Sequence, residues 1–143
     1  MPYVAGDSMN KRGPKVQPSK YAALSVEQVR AGLPMAALEE LAKDLKIERA
    51  LLAEILGVSI RTLQRKAEVN ERLGPAASDR LARVRRIYDL ATHVLGEVGK
   101  AALWLTSRSR ALNGETPLHL LDTDMGAQRV QQELRQIEFG MPI

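Results

Sequence analysis

Residues 49–66 read Arg-Ala-Leu-Leu-Ala-Glu-Ile-Leu-Gly-Val-Ser-Ile-Arg-Thr-Leu-Gln-Arg-Lys, and their pattern decides the fold class. Leu52, Ala53, Ile55 and Leu56 form the buried side of a short helix, with Ala53 small enough to let a second helix cross close over it. Gly57 follows the last apolar residue, where a left-handed conformation can end the helix. Val58 fills the corner, and Ser59 can cap the next helix by accepting from its free N–H groups. Ile60 and Leu63 are expected to hold that second helix to the body, leaving Arg61, Thr62, Gln64 and Arg65 facing outward. This is the helix-turn-helix plan, whose second helix enters the DNA major groove. The plainer reading is structural, because two helices joined by a glycine turn also occur in all-α proteins that never touch DNA.

Working outward toward the N-terminus, Leu38, Leu41, Ala42 and Leu45 recur at helical spacing behind Pro34, with Glu39, Glu40, Lys43 and Asp44 assigned to a solvated opposite face. Ser25 caps a shorter helix that stops near Gly32. Residues 1–20 combine glycine, proline and serine with Lys11, Arg12, Lys15 and Lys20, and predict a flexible basic arm. Toward the C-terminus, residues 67–75 form a connector, punctuated by Gly74-Pro75. The longest helix is predicted from Ala76 to about Leu95, with Leu81, Val84, Tyr88, Ala91 and Leu95 on its apolar stripe. Arg80, Arg83, Arg85 and Arg86 near its start offer either a second cationic surface or a solvated face partly neutralised by Asp79 and Asp89. Gly96 and Gly99 mark a break before a short helix anchored by Leu103, Trp104 and Leu105. A loop turns at Asn113-Gly114, Thr116 caps a brief helix, and Thr123 or Asp124 caps the last one, which carries Val130, Leu134 and Ile137 inward.

The composition fits this all-α outline. Of 143 residues 45% are hydrophobic but only 3% aromatic, so the core must be leucine, alanine, valine and isoleucine, which suits packed helices. The fold class is a small N-terminal helix-turn-helix bundle, followed by a long helix and a compact C-terminal helical domain. Net charge is +4, and the excess lies in residues 1–67, with 11 Lys+Arg against 7 Asp+Glu, while residues 68–143 balance at 10 against 10. That asymmetry is what phosphate binding needs.

Cysteine is absent, which excludes disulfides, thiolate metal sites and a catalytic thiol. His93 and His119 lie in different elements without a carboxylate pair at metal-ligand spacing. Nucleophile-elbow and phosphate-loop motifs are lacking, and Gly96-Glu-Val-Gly99-Lys is too short for the latter. The expectation is a cytoplasmic protein that is not an enzyme and needs no cofactor or metal.

The run from Gly99 through Ala-x-x-Trp104-Leu105, Leu112-x-Gly-x-Thr116-Pro117-Leu118, Leu-Leu121-Asp-Thr123-x-x-Gly126, Val130 and Phe139-Gly140 resembles the toxin-binding domain of the Xre/MbcA/ParS antitoxins. The resemblance covers residues 76–143, and the helix-turn-helix lies upstream as that family has it. Ser107-Arg-Ser-Arg departs from the Pro-Asn pair of many relatives. The resemblance implies an antitoxin that covers the active site of a RES-domain toxin, an NAD-consuming enzyme, and that binds its own promoter with the toxin. It implies a toxin-binding surface drawn from Trp104, Leu105, Thr116, Pro117, Leu118, Phe139, Met141, Pro142 and Ile143. DNA contacts are expected from Ser59, Arg61, Thr62, Gln64 and Arg65 of a homodimer on a palindromic site. Residues 1–20 would be the arm, 21–73 the DNA-binding domain, and 74–143 the dimerisation and toxin-binding domain. The alternative is a stand-alone dimeric helix-turn-helix regulator without a toxin.

Overall fold

Eight α-helices form the regular structure of residues 19–140, the part of the chain that the computed structural model describes, and no strand occurs among them. They are α1 (Val26–Ala31), α2 (Met35–Leu45), α3 (Arg49–Leu56), α4 (Ile60–Glu68), α5 (Pro75–Leu95), α6 (Val98–Thr106), α7 (Pro117–Leu120) and α8 (Asp124–Glu138), with a 3₁₀ turn at Arg110–Leu112. The basic arm expected at residues 1–20 falls almost wholly outside the described residues, as do Met141, Pro142 and Ile143.

Local chemistry accounts for the boundaries. Ser25 closes a capping box with Gln28 at the start of α1, each side chain taking the other's backbone N–H. Pro75 opens α5 where a missing N–H costs nothing. Thr116 caps α7 and Thr123 caps α8, each hydroxyl accepting from the backbone N–H three residues on. The Thr-Pro-Leu … Asp-Thr-x-x-Gly run is therefore two successive helix starts. Its glycine has a steric reason: a Cβ on Gly126 would lie 1.8 Å from the Leu120 carbonyl oxygen, so α8 can begin that close to α7 only without a side chain.

Helix α5 organises the packing, lying against α1 and α3 on the N-terminal side and against α6 and α8 on the C-terminal side, while α2 meets α6 directly. One continuous core results: Leu38, Leu45, Leu52 and Leu63 from the first half join Leu81, Ile87, Leu105 and Leu121 from the second. Arg83 donates to the Leu121 carbonyl at 3.0 Å near the start of α8, and His93 Nε2 lies 3.4 Å from the Glu138 carboxylate at its end. The two helices therefore run side by side in the same direction.

The arginine cluster near the start of α5 does not form one cationic surface. Arg85 is buried at 4% exposure. Its guanidinium reaches Asp44 at 3.0 Å, Glu40 at 3.3 Å and Asp89 at 3.5 Å, and its Cζ stands 5.4 Å from the centroid of the Tyr88 ring. Arg83 lies 3.7 Å from Asp79. Glu40 and Asp44, expected on a solvated face, are instead the α2 side of this ion cage, and Glu40 also accepts from the Ser19 hydroxyl. The physical reason is burial: a guanidinium between two helices must find carboxylates, and α2 supplies them four residues apart on the side facing α5.

Candidate functional site

The helix-turn-helix is built as its spacing predicts. Leu52, Ala53, Ile55 and Leu56 are buried, and Gly57 takes φ +75°. The Val58 N–H then donates back to the Ala53 carbonyl at 2.9 Å, which closes the turn. The Ser59 hydroxyl accepts from the Thr62 N–H at 3.1 Å and donates to the Thr62 hydroxyl at 2.9 Å, so both side chains are engaged in starting α4. Leu63, at 0% exposure, is the single buried residue of that helix. Ile60 was expected to help anchor it but is 44% exposed, because Leu63 is the residue of this helix that faces the core. Arg61, Gln64 and Arg65 are exposed, with Thr62 half-buried beside them.

The cations of α4 are not equivalent. Arg65 pairs with Glu71 at 3.2 Å, and Lys66 donates to the other oxygen of the same carboxylate at 2.7 Å and to the Arg72 carbonyl at 3.1 Å. These contacts, Lys66 first and Arg65 next, hold the Glu71 carboxyl below its ordinary range. Arg61 has no such partner among the described residues. Sequence reasoning left Glu71 in a connector. What brings it back is Asn70 in the left-handed conformation at φ 55°, after which the Glu71 N–H donates to the Lys66 carbonyl at 2.8 Å.

At the other end of the molecule, α6 buries Ala101, Ala102 and Leu105, leaves Trp104 half-buried against the core, and exposes Leu103 at 68%. The loop after it closes on itself. Ser109 donates to the Glu115 carbonyl and accepts from Gly114, while Arg129 of α8 donates to the Ala111 carbonyl. Thr116 spends its hydroxyl on capping α7.

Three residues assigned to the toxin surface are core residues instead: Leu105 is 0% exposed, Leu118 is 1% exposed and Pro117 is buried. They lie on the inner sides of α6 and α7, which pack against each other, so their side chains cannot reach a partner. Phe139, at 70% exposure, does stand free at the end of α8. Leu103, which the sequence presented as an anchor of its own helix, is also left open on this half, as are Met125 at 74% exposure and Val98 at 41%. Neighbours along a helix point about 100° apart, so exposing Leu103 is the counterpart of burying Ala102 and Leu105.

An exposed, cation-bearing second helix on one side and an apolar-tipped helical domain on the other define the class: a helix-turn-helix protein with a second helical domain. Comparison with known proteins makes it specific. Residues 25–86 match the family model described as the antitoxin Xre-like helix-turn-helix domain, and residues 90–140 match that of the antitoxin Xre/MbcA/ParS C-terminal toxin-binding domain. The chain is 26% identical to a protein named Antitoxin Xre from Yersinia enterocolitica, over 87% of this chain and 84% of that one. A protein of the same name from Photorhabdus laumondii is 30% identical over 77% of this chain and 75% of its own. A Sphingobium protein named Prs ADP-ribosylating antitoxin is 26% identical over 84% and 83%. The chain belongs to the Xre/MbcA/ParS antitoxin family. Its two halves thus serve a toxin–antitoxin pair, one toward DNA and the other toward a toxin. No described helix is long and apolar enough to cross a membrane.

Proposed function

We propose that this antitoxin neutralises a RES-domain toxin that consumes NAD, by covering its active site, and that it binds its own promoter as a homodimer. The observation that carries the toxin reading is the match of residues 90–140 to a toxin-binding domain, whose α6 and α8 leave Leu103 and Phe139 open. Large apolar side chains of this kind anchor protein interfaces. The relative named for ADP-ribosylation ties such antitoxins to chemistry whose usual donor is NAD. The surface proposed is Leu103, Trp104 and Phe139, continued by Met141, Pro142 and Ile143, with Thr116 at its edge.

On the DNA side, Arg61 and Arg65 lie four apart on the exposed face of α4, so both can enter one major groove. Ser59, Thr62 and Gln64 would add contacts from the same helix. One such helix reads only a few base pairs, which is why a dimer on a palindrome is proposed. We assign residues 21–73 to DNA and residues 74–143 to dimerisation and toxin binding. Helix α5 holds both halves.

Coexpression with a neighbouring RES-domain product tests the reading, with cellular NAD as the measurement. The wild-type chain is expected to copurify with that product and preserve NAD. The double variant Leu103→Ser/Phe139→Ser is expected to lose both effects and still bind promoter DNA. Full NAD protection by that variant would refute the surface. If nothing copurifies and NAD is untouched, the stand-alone regulator becomes the better reading.

A further inference from the structure

Beside the turn of the helix-turn-helix lies an open groove of about 380 Å³, bounded by Gly57, Ser59, Thr62, Lys66, Gly74 and Arg80. Its lining contains no carboxylate. Two helices begin at its edge. Helix α4 starts under the Ser59 cap, and α5 starts just after Gly74, which offers its first N–H groups no side-chain partner. Lys66 is already committed to Glu71 and to the Arg72 carbonyl.

Arg80 is different. It comes from the second turn of α5, outside the motif, and its guanidinium lies directly over the turn glycine. A Cβ on Gly57 would sit 2.5 Å from Arg80 Nη1. Among the described residues no hydrogen bond or ion pair engages that guanidinium. Gly57 therefore serves twice, taking the left-handed conformation at φ +75° and leaving room for a cation at the turn.

We infer that Arg80 clamps a backbone phosphate of bound DNA in this groove. The inference rests on the DNA reading above and adds a residue that reading does not contain. When the first turns of α4 enter a major groove, the flanking sugar–phosphate strand passes the turn that leads into α4. There it meets a half-buried arginine with fork geometry suited to two phosphate oxygens. The positive end of the 21-residue α5 opens on the same groove and adds to the attraction. Such a contact positions the protein on the duplex and carries no sequence information.

The test measures binding of the full chain to its promoter DNA and to unrelated duplex DNA between 50 and 200 mM salt. Arg80→Gln is expected to weaken both by the same factor and to lower the salt slope by about 0.9, the value of one phosphate contact. The wild type's advantage should then shrink roughly 3.5-fold across that range. Arg80→Lys is expected to restore the slope, which separates lost charge from lost packing. A weakening confined to the promoter would mean a base contact and overturn the clamp. Unchanged affinity and slope in Arg80→Gln, with binding lost in Arg61→Ala/Arg65→Ala, would overturn the clamp and leave the DNA reading standing. If both sets of variants bind like the wild type, the DNA reading and the clamp fall together.

Discussion

Replacing Arg85 by methionine is the most direct probe of what joins the two halves. The substitution keeps much of the volume of the stem and removes the guanidinium from Glu40, Asp44 and Asp89. Each of these contacts is worth about 4 kcal/mol of gross attraction at an effective dielectric near 20, and most of that is spent on desolvation. Removing one partner of a buried ion pair costs about 3–5 kcal/mol. Here the three carboxylates keep 35–38% of their side-chain surface in water. Solvent takes over part of the cation's role, and the expected loss at pH 7 is about 2–3 kcal/mol. Urea titration should show the midpoint falling by about 1–2 M. The wild type's advantage should narrow as pH falls toward 4, because burial raises the Asp89 carboxyl and losing Arg85 removes the cation that opposes this, so the variant regains stability by binding that proton. A methionine variant as stable as the wild type at pH 7, with the same pH dependence, would refute the reasoning and show that apolar volume alone is enough at this site.

Three other outcomes follow from the same contacts. Burial raises the Asp89 carboxyl above its ordinary value, against the opposing pull of Arg85. The folded state thus binds this proton more tightly than the unfolded one, and ionised Asp89 costs stability that is recovered as pH falls through the raised value. Asp89→Asn should therefore compare better with the wild type at pH 7 than at pH 4 in urea midpoints; an equal difference at both would contradict this. Gly126→Ala puts a Cβ against the Leu120 carbonyl. The overlap should outweigh the roughly 1 kcal/mol of added helix propensity, leaving a net loss of about 2 kcal/mol and a Tm lower by about 4–8 °C. A Tm equal to the wild type's would mean that α7 and α8 can part without cost. Glu71→Gln releases Arg65 and Lys66 for phosphate, so DNA affinity at fixed salt should rise roughly two- to fivefold. The depressed Glu71 pKa keeps that carboxylate charged from pH 5 to 8, so the gain should be flat across this range, and weaker binding by the variant would show that Glu71 does not hold these cations back from DNA.

The sequence by itself determined the helices, because their signals are local. Leu38, Leu41 and Leu45 recur at the helical period, Ser25, Ser59, Thr116 and Thr123 sit one residue before helix starts, and Gly57 follows the last apolar residue of α3. The order of motifs from Trp104 to Phe139 carried the resemblance to the antitoxin family, and the match of residues 90–140 to its toxin-binding domain bears that resemblance out.

Which side of each helix stayed open was decided by the tertiary structure. Leu103 and Leu105 are two residues apart on one short apolar helix, yet one is 68% exposed and the other 0%, because α6 packs on α2, α5 and α7 at once. Arg80 and Arg85 read alike in sequence, but α5 turns one toward Gly57 and buries the other against α2. Ile60 and Leu63 part for the same reason, since only the second faces the body. Periodicity places residues on a helix face but carries no information about which neighbours, tens of residues away, will cover it. In residues 49–66 the turn and its caps come from local chemistry. The cations left free to meet DNA depend on Glu71 and on the packing of α5.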